Sequence, residues 1–138
     1  MEVKGYKHPE DLLYHKEFCW VKPEGDMLVI GLTDFYCKLA GEISYIDMPG
    51  EGDEIKANER IGTVETGKWV GKLIAPVTGE ILEVNEDVED DPAIVNEEPY
   101  INWLMKVKLT KQEDLDSLMK GDTAVKWLEA EIDKHKDD

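Results

Sequence analysis

The sequence predicts a mainly β protein: an antiparallel β sandwich or barrel, preceded by a short helix and followed by C-terminal helices. Three observations predict this class. Short apolar runs recur between residues 19 and 109, turn residues rich in Gly, Pro, Asn and Asp separate them, and apolar residues after position 110 recur at helical spacing. With 138 residues, of which 41% are hydrophobic, the chain suits one domain spanning residues 1–138.

The first expected element is a short N-terminal helix, because Pro9 stands where a helix can begin and Leu12, Leu13 and Tyr14 follow it. Eight strands are expected next, at residues 18–22, 27–31, 41–47, 54–57, 60–65, 72–75, 79–85 and 103–109. Thr33 and Asp34 are expected to begin one helical turn within this region. Many short strands at even spacing are typical of sandwiches and barrels.

The C-terminal segment has a helical pattern. Thr110 and Glu113 have the spacing of a capping box for a first helix. Gly121 is expected to end that helix and Asp122 to cap a second one. The second helix carries an apolar stripe that the sheet should cover. The stripe consists of Ala124, Val125, Leu128 and Ile132.

The chain is strongly acidic, with 32 Asp and Glu against 16 Lys and Arg and a net charge of −16. This charge argues against nucleic acid or an anionic membrane as partner, because phosphate binding relies on clustered Lys and Arg. No apolar run has the length of a signal peptide or a membrane span. Cys19 and Cys37 are expected to be reduced thiols. We expect a cytoplasmic protein, and a monomer.

An enzyme is not expected, because the sequence shows no nucleophile with a base, no metal cluster and no phosphate-binding loop. The three histidines, His8, His15 and His135, are scattered along the chain. They therefore predict neither a metal site nor a catalytic pair.

An internal similarity surrounds the centre of the chain. Residues 52–59 and 79–86 each consist of a Gly, an alternating apolar strand and Asn-Glu at a turn. Two such hairpins can pair about a pseudo-twofold axis and close a flattened barrel. The segment between them, 60–78, would be a crossing hairpin with the turn Thr66-Gly67-Lys68-Trp69. Gly67 is expected to relax the backbone of this tight turn.

Lys68 is expected at the exposed tip of the crossing hairpin, where a modifying enzyme can acylate its amine. Exposure alone says little, because most lysines are simply solvated. The surrounding frame is more specific, since Gly52 lies 16 residues before Lys68 and Gly79 lies 11 residues after it. This spacing resembles that of lipoyl domains and their biotinyl relatives. The absence of methionines beside Lys68 favours lipoyl.

A series of longer motifs runs in order along the chain. They are Ile-Gly-Leu-Thr-Asp-Phe at 30–35, Ala-Gly-Glu-Ile-Ser-Tyr-Ile-Asp-Met-Pro at 40–49, Gly-Thr-Val-Glu-Thr-Gly-Lys at 62–68, Ala-Pro-Val-Thr-Gly-Glu-Ile-Leu-Glu-Val-Asn at 75–85, then Val95-Asn96, Pro99-Tyr100 and Trp103-Leu104. Together they resemble the H proteins of the glycine cleavage system, over roughly residues 6–120. The resemblance implies a lipoyl-domain-like antiparallel β sandwich, or flattened barrel, with C-terminal helices.

The resemblance also implies a function: a non-catalytic carrier with lipoate in amide linkage to Lys68, placed there by a separate lipoate-attaching enzyme. The arm would shuttle an aminomethyl group from glycine decarboxylase to aminomethyltransferase and be reoxidised by dihydrolipoamide dehydrogenase. The protein would supply reach, docking and shelter. Glu65, Gly67 and Trp69 accompany Lys68 at this site, and Trp69 is expected to be exposed, where it can pack on the arm or on a partner.

Three positions depart from the family's pattern. Cys19, Leu39 and Lys72 stand where the family usually has a Glu, a His and an acid, at positions that the resemblance places around the cleft in which the arm rests. These substitutions remove carboxylates and add a positive charge, so the cleft would serve a basic aminomethyl group poorly. Cys19 is interpreted either as a small core residue or as a redox partner of the arm.

Two alternatives to the glycine cleavage role therefore stay open. The chain also resembles the H-protein-like lipoate-binding proteins that act with a heterodisulfide-reductase-like complex in sulfur oxidation, where a sulfur load would not need an acidic cleft. The alternative of another class is a structural β module in which Lys68 is never modified.

Overall fold

A computed structural model describes residues 1–136, which form eleven strands and five helices. The strands are β1 (Glu2–Val3), β2 (Tyr6–Lys7), β3 (Leu13–Tyr14), β4 (Cys19–Glu24), β5 (Met27–Leu32), β6 (Ile43–Asp47), β7 (Glu54–Ile55), β8 (Arg60–Thr66), β9 (Val70–Ile74), β10 (Gly79–Val84) and β11 (Met105–Leu109). The helices are α1 (Asp34–Ala40), α2 (Glu86–Asp90), α3 (Ile94–Glu97), α4 (Gln112–Asp116) and α5 (Gly121–Lys134).

Most strands lie in two antiparallel sheets. One has six strands in the order β3-β4-β5-β11-β10-β7, and the other has three in the order β6-β8-β9, while β1 and β2 form a separate pair. One cluster of buried apolar residues joins the two sheets, including Ile30 and Val107 of the larger sheet and Val64 and Leu73 of the smaller. The predicted antiparallel sandwich is confirmed. The predicted barrel is wrong, because in residues 1–136 no strand ladder joins the edges of the two sheets.

The crossing hairpin is confirmed as β8 and β9, which pair from Arg60 opposite Ile74 to Glu65 opposite Val70. The strands of the two similar segments, β7 and β10, pair with each other, with Ile55 opposite Gly79. The internal similarity therefore corresponds to a real strand pair inside the six-stranded sheet.

The predicted N-terminal helix does not form. Residues 10–12 make a turn and a bend, and Leu13–Tyr14 pair with β4 as the edge strand β3. The Tyr14 side chain is buried, its hydroxyl donates to the Pro9 carbonyl at 2.7 Å, and its ring stacks on His8. This tertiary packing outweighs the local preference for a helix.

The helix predicted after Thr33 and the two C-terminal helices are present, but neither of the caps predicted for the C-terminal helices is. Thr33 caps α1, since its hydroxyl accepts from the Tyr36 N–H at 3.3 Å. The capping box of Thr110 and Glu113 is wrong, because α4 begins after Lys111 without a side-chain cap. Asp122 is not a cap either: α5 begins at Gly121, whose φ of +56° suits glycine, and Asp122 lies in the first turn.

The C-terminal end of α1 is fastened to β6 by one side chain, Asn96 of α3. Its amide N–H groups donate to the carbonyls of Gly41 at 2.7 Å and Cys37 at 3.2 Å, and its Oδ1 accepts from the Ile43 N–H at 2.8 Å. A helix end and a strand start are thereby held together. The relative positions of α1 and the three-stranded sheet depend on this contact.

Within residues 1–136, no helix is long and apolar enough to cross a bilayer. The single domain over 1–138, the monomeric state and the cytoplasmic location stay predictions.

His15 is buried and neutral in this fold. Its Nδ1 accepts from the Glu17 N–H at 3.1 Å, so its Nε2 carries the proton and donates to Asn58 Oδ1 at 2.7 Å. Burial lowers the pKa of His15 below its usual value, although the Asn58 hydrogen bond partly opposes this. The folded protein therefore binds a proton at this ring less readily than the unfolded chain does.

We expect the stabilisation that His15 provides to decrease as the pH falls below about 6.5, because the unfolded imidazole is protonated first. Urea unfolding of the wild type and His15→Gln measures this. The difference in free energy of unfolding should be larger at about pH 8 than at about pH 5.5. Comparing the two proteins cancels the effect of protonating the carboxylates. Parallel pH profiles would contradict this assignment.

Candidate functional site at the Lys68 hairpin

The turn between β8 and β9 is organised by one threonine. The Thr66 N–H donates to the Trp69 carbonyl at 3.0 Å. Its hydroxyl accepts from the Lys68 N–H at 3.1 Å and the Trp69 N–H at 3.4 Å. Gly67 is not in the left-handed region, and a Cβ added to it would meet nothing within 4 Å. The prediction that the turn needs Gly67 for its backbone freedom is therefore wrong.

Lys68 lies exposed at the tip, with its side chain directed back over the C-terminal end of α1. Its Nζ donates to the Leu39 carbonyl at 3.5 Å, and a Cβ on Gly41 would lie 3.6 Å from its Cε. The last carbonyls of a helix carry partial negative charge and lack partners in the helix. Among residues 1–136, no carboxylate forms an ion pair with this amine. A single long hydrogen bond therefore holds the ammonium, which leaves it accessible.

A groove of about 610 Å³ adjoins Lys68. It lies between α1, the N-terminal strands and the end of α5, and it is lined by Lys4, Tyr6, Phe35, Lys38, Leu39, Lys68, Trp69, Ile132, His135 and Lys136. No Asp or Glu of the described residues lines it. Two of its lysines form ion pairs, Lys38 with Asp34 at 3.2 Å and Lys4 with Asp133 at 3.1 Å. The groove thus combines an apolar surface with a rim of cationic side chains.

Trp69 is partly buried, not exposed as predicted. Its indole packs edge-to-face on Tyr36, with ring centroids 5.9 Å apart, and it covers Gly71, where an added Cβ would overlap the ring. Beneath it, the Tyr36 hydroxyl is buried without a hydrogen-bond partner among the described residues, and burial raises the pKa of Tyr36. Trp69 therefore forms a wall between the groove and the core.

The three departing positions do not come together. Cys19 is only 1% exposed, its thiol donates to the Ile74 carbonyl at 3.6 Å, and burial raises its pKa to about 12. It is a core residue, and its thiolate form is disfavoured. Lys72 is exposed on β9, opposite Thr63, and does not line the groove. Leu39 alone lines it, together with Lys68 and Trp69.

One predicted site residue lies outside the groove, and three residues that line the groove were not predicted. Glu65 lies on β8 between Tyr45 and Val70 and does not line the groove. Sequence reasoning missed Tyr6, Phe35 and Ile132; of these, only Ile132 carried a signal, as part of the apolar stripe of α5. Within residues 1–136, no group of three or more His, Cys, Asp and Glu side chains is placed to hold a metal ion.

Comparison with known proteins identifies the family. Residues 12–131 match the family model described as glycine cleavage H-protein. The chain belongs to this family. The glycine cleavage system H protein of Carboxydothermus hydrogenoformans is 44% identical over 124 residues, which cover 89% of this chain and 95% of the relative. That of Bacillus licheniformis is 46% identical over 112 residues, covering 80% and 88%.

A solved structure agrees with the sequence comparison. The crystal structure of a glycine cleavage system H protein from Mycobacterium marinum matches with a TM-score of 0.69 at 32% identity, covering 79% of this chain and 97% of that one. The resemblance inferred from the motifs is confirmed. These relatives give no support to the sulfur-oxidation alternative. The structure also weakens the reason for it, because the substitutions at Cys19 and Lys72 do not change the charge lining the groove.

We expect Gly71→Ala to destabilise the protein by about 1–3 kcal/mol, because the new methyl group would overlap the Trp69 indole. The same change in a Trp69→Ala background should be neutral or stabilising, since Gly71 has no positive φ. Urea unfolding of the four proteins measures this coupling. Gly67→Ala, where a Cβ meets open space, is the matched control. An equal cost of Gly71→Ala in both backgrounds would show that the indole does not lie on Gly71.

Proposed function

We propose that this protein is the lipoyl carrier of a glycine cleavage system, with lipoate in amide linkage to the Nζ of Lys68. The observation that carries the proposal is the geometry of Lys68: an exposed amine, at the tip of a hairpin, beside a groove with an apolar surface. Membership of the H-protein family supports it. In this role the chain is a non-catalytic component, and its partners perform the reactions.

The residues around Lys68 fit a lipoyl arm. Acylation converts the ammonium into a neutral amide, which can rest against the apolar side chains of Phe35, Leu39 and Trp69. The groove volume of about 610 Å³ falls within the range of roughly 300–1,000 Å³ that small-ligand sites occupy. No ion pair with a carboxylate of residues 1–136 has to be broken before the amine reacts.

The bound lipoyl group would supply a disulfide that opens, takes up its load and closes again by thiol–disulfide chemistry. The chain's own residues hold and shelter it. Thr66 fixes the turn, so that the side chain of Lys68 always leaves the protein at the same point. The Leu39 carbonyl can accept the amide N–H where it now accepts the ammonium. Phe35 and Trp69 exclude water from one side of the groove.

The partners follow from this role. They are glycine decarboxylase, aminomethyltransferase, dihydrolipoamide dehydrogenase and a lipoate-attaching enzyme. Among the described residues, no acidic side chain lines the groove, so the groove itself offers no carboxylate to a basic load. Retention of the load would therefore depend on apolar contact with Tyr6, Phe35, Leu39 and Ile132.

We expect the lipoylated protein to support glycine-dependent NADH formation when combined with the three glycine cleavage enzymes. Lys68→Gln should abolish this activity, because it removes the attachment atom. Lys72→Gln should keep it within about twofold, since a change of well under 1 kcal/mol is typical of an exposed residue away from the site. Inactivity of the wild type, beside an H protein that succeeds in the same mixture, would reject the glycine cleavage role.

A further inference from the structure

The outer face of the three-stranded sheet presents two exposed apolar side chains beside the Lys68 turn. Tyr45 of β6 lies opposite Glu65 of β8, which lies opposite Val70 of β9. Tyr45 is 51% exposed and Val70 is 64% exposed. Because neighbouring strands lie about 4.8 Å apart, this row is roughly 10 Å across. We call it the outer row; it begins two residues from Lys68 in β9.

A β-bulge turns Tyr45 outward. The pairing of β6 with β8 shifts register between Ile43 and Tyr45, which leaves Ser44 as the extra residue. The Ser44 hydroxyl donates to the Glu65 carbonyl at 3.2 Å. Ile43 and Ile46 are both buried. Strict alternation from Ile43 would place Tyr45 on the buried face, so the bulge is what exposes its ring.

The opposite side of the hairpin is already occupied by the protein itself. There the Lys68 side chain crosses Gly41 to reach the Leu39 carbonyl, and Trp69 packs on Tyr36. The outer row can be reached without disturbing any of these contacts.

We propose that the outer row of Tyr45, Glu65 and Val70 is the surface on which the enzyme that acylates Lys68 docks; this rests on the proposed function. The choice of occupant follows from reach. The Lys68 amine extends only about 6 Å from its Cα, through five single bonds. An enzyme that acts on this atom must therefore enclose the hairpin tip and cover the faces beside it. Enzymes that act on the completed arm can stay roughly twice as far away.

The row also defines the chemistry of the docking partner. The enzyme that docks on the outer row should present an apolar surface to Tyr45 and Val70. Between these contacts it should carry a cationic side chain that pairs with the Glu65 carboxylate. In the reaction, lipoate and ATP first give a lipoyl adenylate and pyrophosphate, and the Lys68 amine then attacks the acyl carbon of the adenylate. The C–N bond forms, the acyl–oxygen bond to AMP breaks, and the amine nitrogen loses a proton.

The test is the steady-state rate of lipoylation by a lipoate–protein ligase with lipoate and ATP, at varied concentrations of unmodified protein. Tyr45→Thr and Val70→Thr remove apolar area, and threonine is itself a residue that strands favour. Each should raise KM about fivefold with kcat within about twofold, and the double variant should raise KM roughly 20-fold. Thermal unfolding confirms that all variants are folded.

Leu82→Thr and Ile101→Thr are the matched controls, because these side chains are 42% and 68% exposed but lie outside the outer row. Their KM should equal that of the wild type. An unchanged KM for the Tyr45 and Val70 variants, or an equal rise in the controls, overturns the docking surface while leaving the carrier function intact. Failure of the wild type to be acylated overturns the proposed function and the docking surface together.

Discussion

The side-chain amide of Asn96 makes the contact on which the geometry of the Lys68 site depends. It binds the last carbonyls of α1 and the first N–H of β6 at once. From β6, the ladder leads through β8 to the hairpin tip, and from α1 comes the Leu39 carbonyl that meets Lys68. One amide therefore relates the hairpin that carries the lysine to the helix that forms a wall of the groove. A partly buried amide with three hydrogen bonds is a specific connection.

The other end of α1 is held in a similar way by Tyr100. Its hydroxyl accepts from the Asp34 N–H at 3.1 Å and donates to the Lys7 carbonyl at 2.8 Å. The N-terminal strands, which supply Tyr6 to the groove, are thereby tied to the start of the same helix. Asn96 lies in the short helix α3 and Tyr100 in the turn that follows it, so one short segment holds both ends of α1. The position of α1 against the hairpin therefore depends on α3 and the turn after it.

Local signals predicted the part of the site that lies within one stretch of sequence. The hairpin, its tip at Lys68 and the start of α1 at Thr33 and Asp34 each follow from neighbouring residues. The groove could not be predicted in this way, because α1, the N-terminal strands and α5 meet there only through tertiary contacts. For Cys19 the interpretation as a small core residue is confirmed, and its place at the cleft is wrong. The sequence could not decide between the two because residues 19–21 of β4 are all buried, so the strand shows no alternation that would reveal the side on which the thiol lies. The predicted N-terminal helix is wrong because the burial of Tyr14 determines the conformation of this segment.

Attachment of lipoate to Lys68 is tested most directly by mass spectrometry of the protein purified from its own cells. Cleavage after glutamate releases residues 66–80, which contain both Lys68 and Lys72. Fragmentation of this peptide should place a single lipoyl group on Lys68 and leave Lys72 unmodified. An unmodified peptide from cells supplied with lipoate, or a lipoyl group on Lys72, would contradict the account.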